Sequence, residues 1–207
     1  MASSIDIWSN IKNTEPIGEV FSIDSDYVDI FIYPEFLQWI RVGEILAVET
    51  DWGYALCIAL STSYRAQRSF RALKLDMEVI RKNIPDIYKF HVLLTRAVYT
   101  SRFENGSIIH MKGGTPLLHA LAFKIPDDAI ENFLKPKGKL DLSFIRSYIK
   151  AGATPEDLKY FINRYYEIIS KVDSVDFVRE LARILSSIEN IDPLRYIKVV
   201  SEFMGWI

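Results

Sequence analysis

The chain carries three histidines, His91, His110 and His119, and one cysteine, Cys57. A metal centre needs three or four ligands, and protein sites usually draw two of them from one short spacing. No His-x-x-x-His and no paired Cys/His spacing occurs, so isolated strand histidines are expected and no metal site. A cysteine nucleophile needs its thiolate stabilised by a neighbouring His or a helix N-terminus. Cys57 instead alternates with Ala55 and Ala59, on the small-residue face of a strand pattern. A P-loop needs Gly-x-x-x-x-Gly-Lys-Ser/Thr, so that backbone amides cradle the phosphates and Lys neutralises them. Gly113-Gly114-Thr115 lacks the lysine; Gly138-Lys139-Leu140 lacks the hydroxyl residue and a preceding strand. No catalytic residue, no cofactor and no ATP hydrolysis are expected.

Charged and aromatic clusters offer binding instead. Arg65, Arg68, Arg71 and Lys74, with Arg81 and Lys82, are the candidate contacts for nucleic acid or for a protein partner. A strict step of three drifts backwards by about 60° per step on a helix. The first four therefore sweep half the circumference and do not line one ridge. Tyr27, Phe31 and Tyr33 share a strand face and could stack bases, but Asp24, Asp26 and Asp29 beside them would repel phosphates. Asp127-Asp128 is read as the cap of a helix after Pro126.

The 207 residues hold 25 Lys+Arg against 27 Asp+Glu, with 49% hydrophobic and 25% charged residues, as in an ordinary globular protein. No apolar run approaches the roughly 20 residues of a membrane span, and no basic-then-apolar leader opens the chain. With a lone cysteine, this points to a cytoplasmic protein without disulfides or membrane contact. Many Ile and charged residues beside only two glutamines, Gln38 and Gln67, fit a thermophile, and A/T-rich codon usage gives the same Ile excess. Charge is blocked: residues 1–60 carry two basic and ten acidic side chains, residues 61–112 ten basic and four acidic. If each block folds locally, such blocks imply faces of opposite sign, suited to self-association or, on the basic side, to nucleic acid; if the blocks interleave in the fold, their charges cancel.

An α+β fold is expected, a small closed β-barrel of about seven strands followed by a bundle of about four α-helices. Ile17–Ile23, Tyr27–Tyr33, Glu44–Thr50 and Trp52–Leu60 read as strands between turn residues. In the fourth, Trp52, Tyr54, Leu56, Ile58 and Leu60 alternate with small residues, which suits a tightly curved wall. A helix near 65–84 interrupts, carrying the stripe Phe70, Leu73, Met77, Ile80 and Ile84. Lys89–Phe103 and Ser107–Lys112 then flank the hairpin signal Asn105-Gly106, and Leu117–Ile125 makes the last strand. Residues 1–134 are thus the barrel, 135–139 a linker, and 140–207 the helical bundle. In the bundle, Leu142, Ile145 and Ile149 mark a helix closed by Gly152. Thr154-Pro155-Glu156-Asp157 opens the next, with Leu158, Phe161, Ile162, Tyr165 and Ile169 as its stripe. Asp173 or Ser174 caps a third with Val178, Leu181, Ala182, Leu185 and Ile188, and Asp192-Pro193 opens a fourth with Leu194, Ile197, Val200 and Met204.

Ile17-Gly18-Glu19-Val20, then Tyr27–Ile32, then Val42-Gly43-Glu44-Ile45-Leu46-Ala47-Val48-Glu49-Thr50 and Gly53 resemble the opening of HerA-type ATPases, whose "GxV" and "VGDxVxVE" strands begin a HAS barrel. The resemblance runs over roughly residues 15–134, with Gly114-Thr115-Pro116 in the place of the family's Pro-rich turn before the last barrel strand. It implies a barrel that packs side by side in a ring and docks a nuclease during DNA-end processing. The family's ATPase domain, with its Walker motifs, has no counterpart in 140–207, so no ATP-binding residue carries over. The function expected is therefore a non-catalytic assembly or adaptor protein, joining its own copies, a ring ATPase or a nuclease. Two alternatives stand beside it: direct nucleic-acid binding by the basic 65–82 segment, and a small-molecule enzyme with an unrecognised site. A viral or mobile-element structural protein fits the same sequence.

Overall fold

The computed structural model describes residues 10–36, 40–66 and 91–206. Seven strands form one antiparallel sheet: β1 (Gly18–Ile23), β2 (Tyr27–Ile32), β3 (Ile45–Thr50), β4 (Gly53–Ala66), β5 (His91–Glu104), β6 (Ser107–Ile109) and β7 (Leu121–Lys124). Their order, β2-β1-β7-β3-β4-β5-β6, is closed by pairing of β2 with β5. Six strands therefore make a barrel and β6 lies outside it, joined through β5 alone. Closure removes the free edges that so small a sheet would otherwise expose.

Alternation along each strand divides the barrel into an inside and an outside. Val28, Ile30 and Ile32 from β2, Leu46 and Val48 from β3, Ala55, Cys57 and Ala59 from β4, and Ala97 and Tyr99 from β5 fill one buried cluster, the lumen. The small face of β4 thus points inwards, where six strands leave little room. Its large face, Tyr54, Leu56 and Ile58, points outwards into the second cluster. Trp52 departs from that face: it sits in the β3–β4 turn and packs against the lumen cluster. The β4–β5 ladder shifts register twice, beside Leu56/Cys57 and at Ala59/Ser61, the kind of bulge that bends long strands around a barrel.

Helices follow: α1 (Asp127–Leu134), α2 (Phe144–Lys150), α3 (Pro155–Arg164), α4 (Tyr166–Ile169), α5 (Ser174–Leu185) and α6 (Pro193–Met204). The second helix of the expected four is broken at Tyr165 into α3 and α4. Thr154 and Asp157 complete a capping box at α3, Asp173 caps α5 by accepting from the amides of Val175 and Asp176, and Asp192 caps α6. Asp127 and Asp128 cap nothing with their side chains: Pro126 is the N-cap of α1, and the two acids act by charge in its first turn. The buried stripe of α5 is Phe177, Leu181, Ile184 and Leu185, rotated from the expected Val178 and Ala182, and α6 buries Tyr196, Val200 and Met204 while Leu194 is exposed.

The helices cover one side of the barrel. Ile45, Ala47, Tyr54, Leu56, Ile58, Val98 and Phe123 on its outer wall share a single buried cluster with Phe133, Phe144, Tyr148, Phe161 and Phe177. That cluster crosses the 135–139 segment, where Pro136–Gly138 forms a short 3₁₀ turn. Tyrosine hydroxyls tie the layers together. Tyr27 donates to the Ala151 carbonyl at the end of α2, Tyr196 donates to Ala153 (2.9 Å), and Tyr165 accepts from the amide of Ile45 (2.9 Å).

Candidate interaction surface

Of the six basic candidates, Arg65 lies near the end of β4, where strand replaces the expected start of a helix. Arg68, Arg71, Lys74, Arg81 and Lys82 lie outside the described residues, as does the remainder of the expected helix. His110 and His119 do not converge. His119 is exposed and stands 3.7 Å from Glu19, whereas His110 is enclosed by helices. Among the described residues no three His, Cys, Asp or Glu side chains gather around a metal-sized centre. Cys57 is fully buried in the lumen, and burial pushes its thiol well above the ordinary range.

A buried cluster fills the barrel's lumen. At one end, the loop after β6 crosses the mouth. Tyr99 accepts from the Gly113 amide (2.6 Å), Arg102 donates to the Lys112 carbonyl (3.2 Å), and Lys112 pairs with Asp26 in the β1–β2 turn. Gly114 permits the crossing, since a Cβ there would stand 2.8 Å from the Trp52 indole nitrogen. Phe36 and Ile40 are packed into the lumen cluster from the segment between β2 and β3.

Two polar sites are buried where barrel meets helices. Glu44, with its side chain 2% exposed, receives Arg164 Nε at 2.9 Å and Lys124 Nζ at 3.6 Å. It ties α3 to β7 and to the entrance of β3. The second site is His110, whose Nδ1 lies 2.8 Å from Ser101 Oγ and whose ring packs 4.9 Å from Phe133 and 5.2 Å from Phe144. Burial pulls the His110 pKa below its ordinary value, against the opposing charge of Asp141. A serine beside a histidine could be a nucleophile with its base, yet Ser101 is fully buried and offers a substrate no access. The sequence reading missed this pair, although the hairpin signal could have found it. A tight turn at Asn105-Gly106 pairs Glu104 with Ser107 and Arg102 with Ile109, and one further step sets Ser101 against His110. Nothing local announced the Glu44–Arg164 contact, which spans 120 residues.

What remains is the side of the barrel that the described helices leave uncovered, centred on β1 and β2. A bulge between Val20 and Ser22 leaves Phe21 without a cross-strand partner, and the residue is 61% exposed. The backbone of Val20 bonds to both His119 and Ala120, which brings Leu117 and Leu118, 70% and 59% exposed, alongside. Phe31 and Tyr33 continue the surface along β2 as an edge-to-face pair 6.1 Å apart. Tyr27, the third aromatic of that face, is already engaged by the Ala151 carbonyl and by Arg96, 5.2 Å from its ring centre. Glu19 and Glu35 lie close enough to Tyr33 to raise its pKa, after burial. The surface is thus apolar and aromatic with an acidic border.

No family model matches this sequence, and no curated protein matches it. The fold and its surfaces define a closed six-stranded antiparallel barrel with a helical cover on one side. No helix among the described residues is long and apolar enough to cross a membrane.

Proposed function

We propose that this chain is a non-catalytic assembly or adaptor protein that docks a protein partner on the β1–β2 side of its barrel. One observation carries the reading. One side of the barrel wall packs against the described helices, while Phe21 and, next to the residues that bond the Val20 backbone, Leu117 and Leu118 are exposed. Exposed large apolar side chains gathered in one place, with charge around them, mark association surfaces in water-borne proteins. The acidic border selects against nucleic acid on this side by repelling phosphates. The HerA-like sequence pattern narrows the partner to a second copy of the chain, a ring ATPase or a nuclease of DNA-end processing.

The test uses tagged full-length protein as bait in nuclease-treated native extract, alongside a Phe21→Asp/Leu118→Asp bait. Both substituted side chains are exposed, so the fold should survive, which circular dichroism and a thermal melt would verify. The reading expects the unaltered bait to retain its own untagged copy, a ring ATPase or a nuclease, and the double variant to lose it. A strictly monomeric protein whose captured proteins are the same with either bait overturns it.

A further inference from the structure

We propose that the cleft between the β5–β6 hairpin and the turn after α1 binds a phosphate group carried on a small monoester with an apolar body. The cleft lies apart from the β1–β2 surface and does not depend on the docking reading. It encloses about 270 Å³ between the hairpin tip and the Pro136–Gly138 turn. Three residues with donor side chains, on three separate elements, line it: Ser107 in β6, Asn132 in α1 and Lys137 in the turn. Its apolar lining is Phe103, Ile108 and Pro136, and the backbone of Gly106 and Gly138 completes the wall without side-chain bulk.

None of the lining residues is a carboxylate. The acids nearby are already occupied: Glu104 pairs with Arg102 at 3.1 Å, Glu131 with Lys135 at 3.3 Å, and Asp141 accepts from the Ser143 amide at 2.9 Å. Lys137 has no carboxylate partner among the described residues, and Lys139 stands exposed two positions on. The cleft therefore keeps a cationic balance although the whole chain is net acidic at −2.

The backbone adds an independent indication. Lys137 sits at φ 61°, ψ 27°, in the left-handed region that favours glycine, with Gly138 following at φ 76°. A glycine would hold this turn without strain, and what lysine adds is a positive charge on a residue that lines the cleft. Strained non-glycine residues of this kind concentrate at binding sites. One cation with a hydroxyl and an amide suits a tetrahedral oxyanion, and charge-assisted bonds to it are the stronger sort. The group is not a P-loop: Gly138 donates its amide to Lys135 and cradles nothing.

The full chain, isotopically labelled, is titrated with inorganic phosphate, with phenyl phosphate, and with sodium chloride at matched ionic strength, while amide shifts are followed by NMR. Saturable shifts at Ser107, Asn132 and Gly138 are expected, with phenyl phosphate tighter than phosphate because its ring reaches the apolar lining. Lys137→Gln should raise both dissociation constants about tenfold, the loss of one charge-assisted hydrogen bond, whereas Lys150→Gln on α2 should leave them unchanged. Lys137→Gly should melt at a higher temperature than the unaltered chain without ligand, yet gain nothing from phosphate. Shifts no larger than those from chloride overturn the proposal, as does saturable binding that maps elsewhere or is indifferent to Lys137→Gln. Binding of phosphate with no preference for phenyl phosphate overturns the apolar-bodied monoester.

Discussion

Replacing Arg164 by Met would leave Glu44 as a buried carboxylate with one of its two cations removed. Arg164 Nε lies 2.9 Å from Glu44 Oε2 and a terminal guanidinium nitrogen lies 3.2 Å from Oε1, while Lys124 stands further off at 3.6 Å. An uncompensated buried charge is more costly than a missing contact. Removing one partner of a buried ion pair costs about 3–5 kcal/mol. Lys124 retains part of the compensation, so the expected loss is about 2–3 kcal/mol. For a chain of this length, that is roughly 4–12 °C in melting temperature. Glu44→Leu with Arg164→Leu should recover much of the loss, since no carboxylate is left buried, and that recovery separates this cause from lost packing. Urea unfolding of the three proteins at pH 7 supplies the numbers. An Arg164→Met penalty below about 0.5 kcal/mol, or a double variant no more stable than the single one, would refute the reasoning.

Other outcomes follow from sites buried in the same junction. His110 is held below its ordinary pKa by burial, so the folded state binds fewer protons than the unfolded one. Its contribution is present above the unfolded His value of about 6.5 and is lost as pH falls from there through the lower folded value, and His110→Gln should flatten that part of the curve in urea midpoints taken from pH 7.5 to pH 5. Gly43 has φ 84°, and a Cβ there would stand 2.7 Å from the Phe161 backbone, so Gly43→Ala combines left-handed strain with a clash against α3. A loss of about 2 kcal/mol or more is expected in thermal and urea melts. Cys57 is fully buried, and a thiol reagent such as Ellman's should react with it only as fast as the protein unfolds; rapid reaction under native conditions would contradict a sealed lumen.

The barrel was legible in the sequence because its signals are local. Alternation at Tyr27–Ile32, the Asn105-Gly106 turn and the large–small pattern of β4 each declare a strand or a hairpin over a few residues. The helix starts at Thr154, Asp173 and Asp192 were legible for the same reason, since a cap satisfies amides two or three positions away. The HerA-like reading of residues 15–134 rests on strand patterns of this local kind. Helix faces were less legible. Val178 and Leu194 fit an apolar stripe as well as Phe177 and Tyr196 do, and only the position of the barrel wall decides which face is covered.

Tertiary structure alone decided the rest. That six strands close and β6 stays outside depends on β2 meeting β5, a pairing between segments more than sixty residues apart. Glu44 sits in an ordinary acidic stretch until Arg164 and Lys124 arrive from elsewhere in the chain. Phe21 reads as one more strand hydrophobe until a bulge leaves it exposed on the side the described helices do not reach. Lys137 belongs to what reads as a linker until the hairpin tip folds beside it and makes a cleft. Local patterning sets which segments become strands and helices, because propensity and capping act within a few residues. Which surfaces are buried and which are left to bind follows from long-range packing, and no short window of sequence contains it.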